Sequence, residues 1–294
     1  GPATGARLLV APGEDRAVLG AVLVRAAQEL AEQLGCSSAS GLFVTPEELS
    51  TWTEAGYAAG AGLQFHWEND GFRSFDDFLG RFNSKRRHML RTERAQLAKD
   101  GTTIRTLRGA ELTPEVMRFV AQCYERTVDR HAWNSPHLNE AFYVAMGERY
   151  ADRAEVVIAA EGERWLGAAF NLRGDRRLYG RQWGAVDDRK FLHFNVCYYH
   201  SIERCIADGL EAFEPGAGGE HKHPRGFQPA LMHSAHWFAD ARLNAVLSAH
   251  LRRERAAYEA HGDRAPVGAR PGDEFAEVAL AVAQVSLQRD ADRG

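Results

Sequence analysis

The stretch Glu155–Ala185 reads EVVIAAEGERWLGAAFNLRGDRRLYGRQWGA. Three largely apolar segments, Glu155 to Glu161, Trp165 to Leu172 and Arg177 to Trp183, are separated by Gly162 and by Gly174-Asp175. Strand-forming runs punctuated by short turn signals predict three consecutive antiparallel strands. Upstream, Thr113-Pro114-Glu115 opens a helix to about Arg130, and Asn139 to Tyr150 forms another. Downstream, Leu192 to Asp208 reads as a helix closed by Gly209, and Glu211 to Glu214 reads as a short strand. This order predicts an α+β fold centred on residues 74 to 262.

Before that centre lies a shorter β-α-β-α-β region. Arg7 to Val10 reads as a strand, Glu14 to Leu34 as a helix ended by Gly35, and Gly41 to Val44 as a strand. Thr45 is the expected N-cap of a helix with Pro46 at its first position. Leu63 to Trp67 alternates as a strand should. Ser74 to Ala98 is expected to be one helix, with Asp76 and Asp77 in its first turn. After about residue 262 the chain carries Pro266 and Pro271 and then one helical run, Glu274 to Gln288. The expected division is thus 3–73, 74–262 and a tail, 263–294.

The chain has 294 residues with ordinary hydrophobic and charged content. Its net charge of −4 gives no global attraction to nucleic acid or membrane, so any anion site must be local. Cys36, Cys123, Cys197 and Cys205 form no CxxC pair, which argues against a disulfide framework and a zinc site and favours a reducing, cytoplasmic setting. Cys197 and Cys205 read as core thiols. No signal peptide or membrane span is legible, and no metal is expected.

Four segments carry chemistry. The helix Ser74 to Ala98 holds a basic run whose Arg87, Arg91 and Arg94 share a face, with Glu93 as its one acid. Lys85, Arg86, Arg87 and Arg91 are the candidate contacts to phosphate or RNA. In Arg177–Ala185, alternation puts Tyr179, Arg181 and Trp183 on one strand face, suited to a ligand cleft. Between Gly184 and Lys190, before the helix containing His193, a backbone nest could hold an anion. Finally, Glu214 to Pro229, EPGAGGEHKHPRGFQP, crowds acids, bases and cations among glycines. Glu214, then Glu220, are the candidate bases. Lys222 and Arg225 are the candidate clamps for an oxyanion or carboxylate, facing the same cleft, with His193 and His221 beside the substrate.

The segments FHWENDGF and FDDFL (65 to 79), SKRRHMLRTER (84 to 94), YGRQWGA (179 to 185), LHFNVCYY (192 to 199) and the Glu214–Pro229 loop resemble the bacterial FemAB-like N-acyltransferases of the GNAT superfamily. The likeness runs over about residues 5 to 260. It implies a partial first GNAT-like unit packed on a complete second one, and a role tied to peptidoglycan. It also implies transfer of an acyl group onto an amine acceptor, with aminoacyl-tRNA as co-substrate and no tightly bound cofactor. The stretch WGAVDDRKF (183 to 191) lacks the Arg/Gln-x-x-Gly-x-Gly/Ala loop of ordinary coenzyme A sites. Instead it puts Asp187 and Asp188 where a pyrophosphate would sit. An acyl-CoA-dependent transferase and a non-catalytic ligand-binding module are the alternatives.

Overall fold

The computed structural model describes residues 3–129, 136–216 and 220–261, leaving aside the side chains of Glu220 and His261. It falls into two compact units, 1–64 with 229–294, and 65–228. These differ from the division at 73/74 and 262/263 expected from the sequence. The expected helix at Glu274 to Gln288 lies outside the described residues.

In the first unit, α1 (Arg16–Gln33) is capped by Asp15, whose carboxylate accepts from the backbone of Ala17 and Val18. Gly35 follows it in the left-handed region, at φ 67°, where a side chain would be strained. Strand β1 (Ser38–Val44) and helix α2 (Pro46–Glu54) come next, with Thr45 accepting from Glu48 N as the expected N-cap. Arg7 to Val10 is not a strand. The backbone N–H groups of Arg7 and Leu8 donate instead to the Glu48 carboxylate, at 2.8 and 3.2 Å, which satisfies them without a ladder. After β2 (Ala58–Glu68), whose last residues belong to the second unit, the first unit resumes far along the chain.

The second unit opens with two helices where the sequence suggested one. Helix α3 (Phe75–Gly80) ends before α4 (Ser84–Lys99), because Asn83 caps the latter by accepting from Arg86 N. Then follow β3 (Thr102–Arg108), α5 (Pro114–Asp129), α6 (Glu140–Arg149), β4 (Ala154–Glu161), β5 (Arg164–Arg173) and β6 (Arg177–Ala185). The three strands β4, β5 and β6 are consecutive and antiparallel, as the turn signals predicted. A continuous helical run follows: α7 (Leu192–Phe194), a π-helical turn (Asn195–Tyr199) and α8 (His200–Ala207). Strand β7 (Ala212–Glu214) returns parallel to β6. The sheet order in this unit is β2-β7-β6-β5-β4-β3. An antiparallel set followed by a helix and a parallel strand is the GNAT-like arrangement.

Both faces of this sheet are covered. On β4, Val156 and Ile158 pack with Val116, Val120 and Tyr143 of α5 and α6. Val157 and Ala159 pack the other way, with Leu97, Leu192 and Val196. Burial on both faces explains the unbroken apolar run in β4.

A 3₁₀ turn (Glu220–Arg225) leads into β8 (Gln228–Phe238), which pairs antiparallel with β1 in the first unit, and into α9 (Ala241–His261). Strand β8 was missed from the sequence, where QPALMHSAHWF offers no turn-bounded β-branched run.

Candidate functional site

Strands β6 and β7 pair over only three registers, Arg177, Leu178 and Tyr179 against Ala212, Phe213 and Glu214. Pro215 then ends β7, because it has no N–H to continue the ladder. Strand β6 goes on without a paired strand on that side among the described residues. Gly180 lies at the branch, where an added Cβ would come within 3.2 Å of Pro215 Cα. One residue later the β5–β6 register slips: Phe170 faces Gln182 and Asn171 faces Gly180, which leaves Arg181 as the extra residue of a β-bulge.

The two strands part around a cavity of about 70 Å³. Ala169, Asn171, Gly180, Arg181, Gln182, Trp183, Phe213 and Pro215 line it from the strands, and His193, Cys197 and Tyr198 from the helical run. Trp183, Arg181 and His193 thus line one cavity. Tyr179 does not join them, since the bulge breaks the alternation that would have put it on their face. Cys197, read as a core thiol, is part of the lining.

Arg181 is the most unusual side chain of this region. All three of its guanidinium nitrogens are shielded from solvent and make no hydrogen bond among the described residues, and the neighbouring Gln182 Oε1 is in the same state. Burial lowers the pKa of Arg181, opposed by the charges of Glu214 and Tyr179. A buried polar group without a partner costs on the order of 1–3 kcal/mol, and more when it is charged.

His193 packs on Trp183 with ring centroids 5.4 Å apart and lies 5.8 Å from His221. Burial, with the charges of His221, Lys222 and Arg225, pushes it down to about 4, so it is neutral at pH 7. His221 Nε2 is 2.9 Å from the Tyr198 hydroxyl.

Three other expected site residues, Arg225, Lys222 and Glu214, do not line the cavity. Arg225 does not face the cavity. It makes a buried ion pair with Glu93 of α4 (Nη2 to Oε1 2.8 Å), donates to Tyr199 Oη at 2.8 Å and to His221 O at 2.9 Å, and lies 3.5 Å over the Phe194 ring. With its donors occupied, it holds the 220–225 turn against α4 and the π-helical turn. Glu93, read as the lone acid of a basic helix, is its internal counter-ion. Tyr199 Oη also donates to Glu93 Oε2.

Lys222 is buried, and its Nζ donates to Gly216 O at 2.6 Å. Burial lowers it to about 8. Glu214 is buried at the end of β7, 3.3 Å from Arg177 and 3.9 Å from His66 Nε2. Phe213 and Pro215 on either side of it line the cavity, and it does not. His66 is pushed down to about 4 by burial and by Arg177 and Lys222, so its approach to Glu214 is not a charged pair at pH 7. The Glu220 side chain lies outside the description.

The basic helix is partly neutralised from elsewhere in the unit. Arg91 pairs with Asp76 of α3 at 3.0 Å, and Arg94 pairs with Glu203 of α8 at 2.7 Å while stacking on Phe75. Lys85, Arg86 and Arg87 have no ion pair among the described residues. A groove of about 690 Å³ along α3, α4, β3 and α8 contains those paired arginines. Its cations are already satisfied, so the smaller cavity at the strand branch is the better site. Among the described residues no group of three or more His, Cys, Asp or Glu could hold a metal ion, and no helix is long and apolar enough to cross a membrane.

A family model described as FemAB-like, peptidoglycan biosynthesis/recognition, matches residues 1–267. The chain belongs to the FemAB-like family. No curated protein matches the sequence. Among solved structures, it is similar to the C-terminal domain (DUF2156) of a protein assigned as a lysylphosphatidylglycerol synthetase from Agrobacterium fabrum. That match has TM-score 0.56 and 16% identity, over 81% of this chain and 78% of that one. It is also similar to L-PGS from Bacillus licheniformis, with TM-score 0.56 and 11% identity over 80% and 77%. FemX matches with TM-score 0.51 and 11% identity over 79% of each chain. At such identities these likenesses speak for the GNAT-like fold.

Proposed function

We propose that this FemAB-like chain is an N-acyltransferase that moves an acyl group, aminoacyl from a charged tRNA, onto an amine, with a cell-wall precursor or a small amine as acceptor. The observation that carries this reading is the parallel pair β6/β7, which separates after three registers around a cavity lined by Arg181, Trp183 and the neutral imidazole of His193. Transfer replaces an ester C–O bond with an amide C–N bond. The proton lost by the amine is matched by the one gained by the leaving hydroxyl, so the fold needs mainly to position two reactants and receive a proton. His193 is the group in the lining suited to take that proton. Lys222 and Arg225 act as positioning residues, Lys222 by holding Gly216 and Arg225 by anchoring the 220–225 turn.

Two features support a tRNA donor over acyl-CoA. Asp187 follows β6 and is tied to Arg164 at 3.1 Å and Arg189 at 3.4 Å, and a carboxylate at this turn disfavours a pyrophosphate, which needs N–H donors. Lys85, Arg86 and Arg87 leave cations available for a phosphate backbone. The test is to present the full chain with aminoacyl-tRNA and acyl-CoA together with a panel of amines, and to titrate coenzyme A by calorimetry. Transfer from charged tRNA with no saturable coenzyme A binding is expected. Micromolar coenzyme A binding would overturn the donor, and no transfer from either donor would overturn the reaction.

A further inference from the structure

Helix α1 of the first unit is turned inside out. A surface helix normally buries its bulky apolar stripe and leaves the opposite face polar. The residues that α1 buries are Gly20, Val24 and Ala31, two of them small. Its bulky residues Val18, Val22, Leu30 and Leu34 stay 58%, 55%, 54% and 69% exposed. With Ala26 between them, also exposed, they stand at steps of four and form one continuous ridge. Single exposed apolar residues are ordinary, whereas an unbroken row of them marks a contact surface. We propose that this ridge is a self-association surface, on which a second copy of the chain lays its own α1 antiparallel, about a two-fold axis at Ala26.

The pattern is self-complementary. Reversing the helix about Ala26 exchanges position 18 with 34 and 22 with 30, and each of the four is Val or Leu. The smallest side chain of the ridge falls at the crossing point, where two packed helix axes come nearest. In a two-fold contact, residue i of one copy meets j of the other and j meets i. On one flank of the ridge, Leu23 then stands beside the partner's Leu30. On the other flank, the exposed Arg25 stands beside the partner's Glu29, and the reverse pair forms as well. Both matches fall within two residues of register, about 3 Å along the axis. A parallel pairing would put Arg25 and the partner's Glu29 on opposite flanks. Charge complementarity at a rim sets such a register and excludes others. Within the same chain, the run 274–288, EFAEVALAVAQVSLQ, is apolar too, but it has no Lys, Arg or His to set against Glu29. A second copy answers both charges.

The test weighs the full chain by sedimentation velocity and light scattering from about 1 to 100 µM. A monomer–dimer equilibrium with a micromolar Kd is expected, since a single helix pair is a small interface. Ala26→Glu puts two carboxylates at the crossing and should weaken the dimer about a hundredfold or more, with an unchanged far-UV circular dichroism spectrum. Arg25→Glu and Glu29→Arg should each weaken it about tenfold or more, because each turns two symmetric attractions into repulsions. Mixed in equal amounts, these two variants should pair with one another as tightly as the unchanged chain does, for every flank then joins acid to base. The mass of the unchanged chain needs no variant, so it decides even if a substitution fails to fold. A monomer throughout the range, a dimer indifferent to Ala26→Glu, or no recovery on mixing would overturn the proposal. If the chain is monomeric, slow maleimide labelling of Ala26→Cys, in a chain whose exposed Cys36 is replaced by Cys36→Ser, would assign the face to another segment of the same chain instead.

Discussion

The Glu93–Arg225 pair offers the sharpest test of how the glycine-rich segment is held. Arg225 has three contacts to the Glu93 carboxylate at 2.8, 3.0 and 3.3 Å, one to Tyr199 at 2.8 Å and one to His221 O at 2.9 Å, and Arg225 and Glu93 are both buried. Glu93→Gln keeps the volume and removes the charge, leaving a guanidinium desolvated against Phe194. Removing one partner of such a pair costs about 3–5 kcal/mol. For a unit of this size that corresponds to a fall in melting temperature of roughly 6–20 °C. Arg225→Met should cost a similar amount, and the double substitution should cost less than the two singles together, with a coupling of up to about 3 kcal/mol. Urea titrations followed by tryptophan fluorescence would give these values for all four chains. If Arg225 were instead a ligand clamp facing the cavity, its substitution would spare stability and affect turnover alone. Singles that each cost under about 1 kcal/mol, or strict additivity, would refute the internal-anchor assignment.

Gly226 sits at φ 93°, and an added Cβ would fall 2.6 Å from Phe78 Cζ and 2.8 Å from Phe82 Cζ. Gly226→Ala should therefore cost about 2–5 kcal/mol from backbone strain and overpacking combined, measurable in the same titration. Acid should destabilise the second unit through His66, whose folded value near 4 lies below its unfolded value of 6.5. The unfolded chain binds the extra proton, so the stability is intact above 6.5 and is lost as pH falls toward 4, by about 3 kcal/mol. His66→Gln should lessen the loss in that window, with His193, also near 4, keeping its own part, and an unchanged pH profile would exclude the mechanism. Arg86→Ala with Arg87→Ala should weaken tRNA binding and lower the slope of log affinity against log salt by about 1–2. An unchanged slope would leave these side chains as solvated surface.

The antiparallel trio β4-β5-β6 and the helices α5 and α6 were legible because they are local. Turn residues at Gly162 and Gly174 and the caps at Pro114 and Asn139 act within a few residues of themselves. The family was legible too, from long runs such as YGRQWGA and LHFNVCYY. Strand β8 was not, for its partner β1 lies far away in sequence, and an alternating polar and aromatic run gains strand character only when that partner is present. Nor was the break between α3 and α4, where Asn83 competes successfully for a helix start inside a continuous helical pattern.

The site divided along the same line. Composition singled out Arg181, Trp183, His193, Lys222 and Arg225, because charged and aromatic residues between glycines are visible in one dimension. Their roles were decided in three. Whether a cation is a clamp or an anchor depends on where its counter-charge stands, and Glu93, 132 positions before Arg225, becomes its partner only once α4 and the 220–225 turn pack together. Whether Tyr179 shares a face with Arg181 depends on a register slip, and a period of two read from the sequence cannot register one extra residue. The sequence by itself determined the α+β layout and which residue types crowd the region. Only the tertiary structure decided that Arg225 is paired with Glu93 and that the Arg181 guanidinium makes no hydrogen bond among the described residues, because desolvation and pairing are properties of a place, set by every chain segment that meets there.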